Sequence, residues 1–215
     1  MPAYAELAVT TNFSFLRGAS HPQEYVAQAA ALGLKAIGIA DRNTMAGVVR
    51  AYSEWKNQES LKLLVGTRLV TTDGFETIAY PIDRAAYGRL CKLLSQGNLR
   101  TKKGQCHLGF DEILAASEGQ IFIAMPPPRL AKSFAERLFE LDRAAPTRTY
   151  LGAVHRYGSD EPRRLGRLAE FGERLGVPLV AVGDALYHAP ERRPLQDIVT
   201  CIREKMHHPR GRPPP

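Results

Sequence analysis

The chain has 215 residues, 44% of them hydrophobic and 24% charged, with a formal charge of +7 and a pI near 9.5. That length suits one domain with an ample core, and the composition excludes disordered and fibrous classes. No apolar run approaches the roughly 20 residues that a bilayer requires, and residues 1–15 lack the basic-then-apolar layout of a signal peptide. The cysteines, Cys91, Cys106 and Cys201, are odd in number and widely spaced, which argues for a reducing cytoplasm and against a disulfide framework or a Cys-based zinc site. The positive balance suits contact with nucleic acid, although part of it sits in the last dozen residues.

The first unit of the chain reads as strand, loop, helix, strand, loop, helix. Leu7 to Thr10 is a short β-prone run. Ser20 is placed to cap a helix, with Gln23 closing a capping box and Pro22 in the first turn. Tyr25, Ala29 and Leu32 fall on one face of that helix, and Gly33 supplies a left-handed stop. Ala36 to Ala40 reads as a buried strand that delivers Asp41 at its end. Met45, Val48, Val49, Tyr52 and Trp55 make the apolar stripe of a second helix. Units of this kind place their chemistry just past the strand ends, here Thr10 to Arg17 and Asp41 to Asn43.

Beyond it, Leu61 to Val70 reads as a strand interrupted at Gly66, Asp73-Gly74 as a turn and Thr77 to Tyr80 as a short strand. Asp83 caps a helix striped by Tyr87, Leu90, Leu93 and Leu94 and ended by Gly97. Asn98 to His107, carrying Arg100, Lys102 and Lys103, reads as an exposed loop open to contact with DNA or a neighbouring domain. A short helix around Ile113 and Leu114, the strand Gln120 to Met125, and a helix through Phe134, Leu138 and Leu141 follow. Then come the strand Tyr150 to Val154, the helix Pro162 to Leu175 stopped by Gly176, and the strand Val177 to Val182. About seven strands alternating with helices predict a parallel sheet, closed or nearly closed.

The segments YAEL, NFSF, RGAS and AGVVRA within residues 4–52, and VPLVAVGDALYHAPERRPLQDIVTCIRE at 177–204, resemble the PHP (polymerase and histidinol phosphatase) domain that opens bacterial DNA polymerase III alpha subunits. The resemblance is to the error-prone, damage-inducible branch, and it is weaker between those segments. It implies a distorted seven-stranded β/α (TIM-like) barrel of PHP type over residues 1–204. KMHHPRGRPPP then has no apolar periodicity, so residues 205–215 read as an unstructured Pro/Arg-rich tail, the expected product of truncation or frameshift.

The resemblance also implies where an active metal centre would sit, with several imidazoles and acids converging from strand ends. The His-x-His of the first strand is matched by Ala8 and Thr10. The acid before Gly18-Ala19 is Arg17, the His after Asp41 is Arg42, and the Glu of Gly-x-Glu is Arg68. The closing Asp-x-His is Asp184 and Leu186. A degenerate centre is expected, with no cofactor in this domain and Asp41 and Asp184 pairing with Arg17, Arg42 and Arg68. Those three arginines, if convergent, would make an anion site. A single-metal site on Asp41, Asp184 and His188 is the weaker expectation, His155 reads as structural, and Cys106-His107 has no partners at metal spacing.

The sequence has no G-x-S-x-G elbow, Walker loop or dinucleotide fingerprint. The implied role is scaffolding within a translesion DNA polymerase whose Mg2+ is held by a later domain. The implied partners are the remainder of the polymerase chain, DNA in the full-length protein and SOS mutagenesis accessory proteins, in the cytoplasm, with no membrane. The alternative is a free-standing PHP metal-dependent phosphoesterase or 3′–5′ exonuclease. A third reading, a DNA-binding module, would use Lys102, Lys103, Arg163, Arg164 and Arg167.

Overall fold

The computed structural model describes residues 4–58 and 60–206. In chain order the elements are β1 (Ala5–Val9), α1 (Pro22–Ala31), β2 (Ala36–Arg42), α2 (Val48–Trp55), β3 (Lys62–Val70), β4 (Glu76–Pro81), α3 (Arg84–Leu99), α4 (Phe110–Ala115), β5 (Gln120–Ala124), α5 (Lys132–Ala144), β6 (Thr149–Val154), α6 (Glu161–Leu175) and β7 (Leu179–Val182). A 3-10 turn at Pro190–Arg192 then leads into α7 (Arg193–Glu204). The expected α/β class and seven strands are present. Most of the expected tail, from residue 207 on, lies outside the described residues. No described helix is long and apolar enough to cross a membrane. The chain groups into two compact units, the described residues within 1–41, 46–64 and 184–215, and those within 42–45 and 65–183.

In the first unit β1 and β2 run parallel, with an irregularity between Glu6 and Val9. The Glu6 carboxylate serves the backbone there, accepting the Ala8 N–H at 2.8 Å. Val9, Ile37 and Ile39 pack against Tyr25, Val26 and Ala29 of α1 and Ala51 of α2, and Trp55 donates its indole N–H to the Leu61 carbonyl at 2.6 Å. Two helix expectations need correction. The cap of α1 is His21 rather than Ser20, and its N–H donates to Glu24 at 2.7 Å, because the Ser20 hydroxyl is buried and committed to His188. On α2, Val49 and Tyr52 are exposed and small Ala51 sets the buried face, while Met45 precedes the helix. Leu32 is likewise exposed beside Gly33, whose φ of 69° ends α1 as expected.

In the second unit β3, β4 and β5 are antiparallel and β5, β6 and β7 parallel, so the all-parallel expectation fails at β4. Residues 71–75 join β3 to β4 through the Asp73-Gly74 turn, too short a connection for a crossover. Gly66 does not interrupt β3. A Cβ there would lie 2.5 Å from the Tyr80 ring, so the glycine makes room for it. Gly97 does not end α3 either; the helix continues to Leu99, and a Cβ at Gly97 would meet Leu108 at 2.6 Å. Asp83 caps α3 as expected, accepting the Ala86 N–H at 2.7 Å. The core is threaded by Phe110, Phe75, Phe134 and Phe171, with successive centroids 5.1, 5.7 and 6.0 Å apart. Each buried ring contributes roughly 1.5–3 kcal/mol, so these four outweigh any surface ion pair nearby.

Asn43, just past β2 and in left-handed backbone (φ 50°), clasps β3. Its amide oxygen accepts the Val70 N–H at 2.8 Å, its side-chain NH2 donates to the Val70 carbonyl at 3.1 Å, and its own N–H donates to the Arg68 carbonyl at 2.9 Å.

Candidate functional site

β2 is apolar and buried up to Asp41, whose side chain is fully enclosed. The carboxylate is held by the loop after β1. Oδ1 accepts the Thr11 N–H at 2.8 Å and the Ser14 hydroxyl at 2.6 Å, and Oδ2 accepts the Thr11 hydroxyl at 2.8 Å. Two successive turns fold the loop onto it, with Ser14 N–H to the Thr11 carbonyl and Arg17 N–H to the Ser14 carbonyl. Glycines permit the closeness. A Cβ at Gly18 would fall 2.4 Å from the Thr10 and Thr11 carbonyl oxygens, and one at Gly47 2.7 Å from Asp41 Oδ2. Burial pushes the Asp41 carboxyl up from the usual range, while the Ser14 and Thr11 donors pull it back.

Tyr25 joins this loop to residues 184–188. Its phenol lies 3.1 Å from the Thr10 carbonyl and 3.2 Å from the Ala185 carbonyl, and Thr10 N–H donates to Ala185 at 2.9 Å. Burial raises the Tyr25 pKa, and the charges of Asp41, Glu6 and Asp184 add to the effect, so Asp41 and Asp184 both act on one phenol. Asp184 has left-handed backbone (φ 52°), and the Leu186 carbonyl accepts the Ala19 N–H. His188 shares its Nδ1 with the Ser20 hydroxyl at 2.8 Å and stands 3.9 Å from Glu24, which is ion-paired with Arg192. Burial opposes ionisation of Glu24, but the His21 N–H, Arg192 and His188 together hold its carboxyl below the usual range. Gln196 of α7 donates to the Arg17 carbonyl at 2.7 Å and Arg203 to the Leu16 carbonyl at 3.1 Å.

In the second unit Arg42 and Arg68 meet at a residue that sequence reasoning missed, Glu76. The contacts are 2.9 Å to Oε1 and 3.6 Å to Oε2. The signal was present: the Asp73-Gly74 hairpin sets Val70 opposite Glu76, which makes Arg68 and Glu76 diagonal neighbours across the ladder. Thr11 and Ser14 were missed as well, since nothing in their spacing marks them before the loop closes.

The remaining candidates are dispersed. Arg100 pairs with Glu112, while Lys102 and Lys103 are exposed on a short loop pinned by Thr101 to the Gln105 carbonyl. His155 accepts the Tyr157 N–H at 3.3 Å and packs edge-on against its ring. Cys106 is half-buried, and its thiol is pushed up by that burial. Arg164 is engaged by Glu161, which it holds down to about 2, and Arg167 reaches Asp160 at 3.3 Å.

A cluster of divalent ions requires several acids or imidazoles with lone pairs aimed at one point. Among the described residues no three of His, Cys, Asp or Glu are grouped so as to hold a metal. Methyl, hydroxyl, guanidinium and isobutyl groups occupy Ala8, Thr10, Arg17, Arg42, Arg68 and Leu186, and Asp41 already directs both oxygens at donors.

The family model described as "PHP domain" matches residues 6–145. Error-prone DNA polymerases of Rhodopseudomonas palustris strain BisB5 and Caulobacter vibrioides are 53% and 50% identical to the chain over 210 and 204 residues. Those alignments cover 95% and 94% of this chain and 19% of each relative, so the chain spans about a fifth of their length. Among solved structures, a protein of Bifidobacterium adolescentis described as a metal-dependent phosphoesterase superposes with a TM-score of 0.66 at 19% identity, covering 88% of this chain and 89% of its own. An amidohydrolase of Chromobacterium violaceum, solved with sulfate and without metal, gives 0.63 at 16% identity, covering 87% and 88%.

Proposed function

The chain belongs to the PHP domain family, and from that premise we propose that it is the PHP-like domain of an error-prone, translesion DNA polymerase, acting as a scaffold with a degenerate metal centre. The observation that carries this reading is the use made of Asp41. A carboxylate at a strand end, where a metallohydrolase would aim it at an ion, here ties the β1 loop to β2 through hydrogen bonds from Thr11 and Ser14. Buried pairs and hydrogen bonds of this kind fix geometry more than they add net stability. Nucleotide transfer, and the Mg2+ it uses, belong to polypeptide beyond this region. The remainder of the polymerase and, through it, DNA and SOS mutagenesis accessory proteins are the partners this role implies.

A free-standing phosphoesterase or 3′–5′ exonuclease would need the missing donors. Plasma mass spectrometry of the purified chain, after exchange into Zn2+- or Mn2+-containing buffer and desalting, should find well under one ion per chain. Two or more tightly held ions would overturn the degenerate-centre reading.

Lys102 and Lys103, exposed on their loop, are the proposed DNA-facing cations. If both touch phosphates, Lys102→Ala with Lys103→Ala lowers the slope of log Kobs against log salt by about 2 for duplex primer–template. An unchanged slope would remove them from the interface.

A further inference from the structure

α7 is amphipathic, yet it is held by its polar side. Gln196, 5% exposed, and Arg203 bind the Arg17 and Leu16 carbonyls, and Thr200 lies one turn from Gln196 in the same row. An adjoining face carries Leu195, Ile198, half-buried Val199 and Ile202, within an arc of about 100° at helical spacing. Leu195 is 41% exposed, Ile198 48% and Ile202 57%, and Met206 just beyond the helix is 68% exposed. The helix is closed at its C-terminus by a left-handed Lys205 (φ 54°) and a bond from the Met206 N–H to the Cys201 carbonyl at 2.9 Å, while Gln196 and Arg203, two turns apart, tie it to the loop after β1. Single exposed apolar residues are ordinary on a protein surface. Three apolar residues of one stripe turned outward while a glutamine of the same helix is buried are not.

We infer that this stripe is a docking surface for the polypeptide that lies beyond the aligned region in the longer relatives. The inference rests on the reading of the chain as the PHP-like domain of such a polymerase. Relatives half-identical to this chain devote about four-fifths of their length to other polypeptide, and the alignment with the Rhodopseudomonas palustris relative leaves out about a twentieth of this chain's 215 residues, fewer than the 12 of α7. At least part of the helix is therefore shared with a protein that has a large covering body to offer. The charges on the remaining faces of α7, Arg193, Asp197, Arg203 and Glu204, are mixed in sign, which suits a protein partner and lacks the basic bias of a membrane-surface helix.

The test replaces the aligned region of the Rhodopseudomonas palustris relative with this chain and compares that chimera with this chain alone by hydroxyl-radical footprinting. In the chimera, Leu195, Ile198 and Ile202 should react at least fivefold more slowly than in the chain alone. Equal reactivity in a chimera that extends primers would overturn the docking surface while leaving the assignment to a polymerase standing. A chimera inactive in primer extension, with the stripe still protected, would count against the assignment and support the surface. Protection in the isolated chain together with a dimer in sedimentation would make a second copy the occupant and overturn the inference. Independently of the chimera, Ile198→Glu with Ile202→Glu should leave the urea midpoint of the isolated chain unchanged. A collapse of that midpoint would mean that the face is packed within the chain, and would also overturn it.

Discussion

Asp41→Ala should lower folding stability by about 2–4 kcal/mol, because at least three buried donors lose their acceptor at about 1–3 kcal/mol each, offset in part by no longer burying a carboxylate. The donors include the Thr11 N–H, the Thr11 hydroxyl and the Ser14 hydroxyl. Asp41→Asn keeps an oxygen for two of them and should cost about 1 kcal/mol or less by the same reasoning. Urea unfolding reads both, as a fall in midpoint with little change in slope. An alanine variant as stable as the parent would remove Asp41 from its structural role.

The same carboxylate predicts a pH dependence. Because burial raises the folded pKa above the usual 3.8, the unfolded chain releases this proton first as pH rises. The contribution of Asp41 is therefore greatest below the unfolded pKa and declines until the raised folded pKa has been passed. Asp41→Asn should flatten that part of the stability profile. A steeper decline in the variant would reverse the sign argued here.

Gly18→Ala should be at least as damaging as the loss of Asp41. Its Cβ would lie 2.4 Å from the Thr10 and Thr11 carbonyl groups, which are backbone and have no rotamer to escape into. Relieving the clash opens the turn that presents Thr11 to Asp41, so overpacking and lost hydrogen bonds add. Overpacking alone costs about 1–3 kcal/mol. The sum, about 3–7 kcal/mol, corresponds to a fall in Tm of roughly 6–28 °C for a chain of this size. Gly88→Ala on α3, where a Cβ meets nothing within 4 Å, is the matched control and should stabilise by about 0.5–1 kcal/mol. Equal effects at the two positions would mean that backbone crowding at Gly18 is not what holds the loop.

Features written in local chemistry were legible in the sequence. Asp83 as a cap, Gly33 and Gly176 as left-handed stops, and the Asp73-Gly74 turn need only neighbouring residues to act. Features that depend on a distant partner were not. Gly97 reads as a helix end until Leu108 is seen pressed against it, and Ser20 reads as a cap until His188 claims its hydroxyl. The hairpin was read as a turn without its consequence, the reversal of β4 that brings Glu76 to Arg68. At the site, Asp41 could be located because a strand end is predictable. Its partners could not, because threonine and serine in a loop are uninformative until Gly18 lets the loop fold back.

The clasp made by Asn43 bears on how the second unit avoids misassembly. β3 reads Lys-Leu-Leu-Val-Gly-Thr-Arg-Leu-Val, with apolar residues on both faces, so hydrophobic patterning alone leaves its alignment poorly defined. A side-chain amide that engages the N–H and the carbonyl of one residue, Val70, acts as a single-position key. Sliding the strand by one step would break both contacts and turn Arg68 to the wrong face.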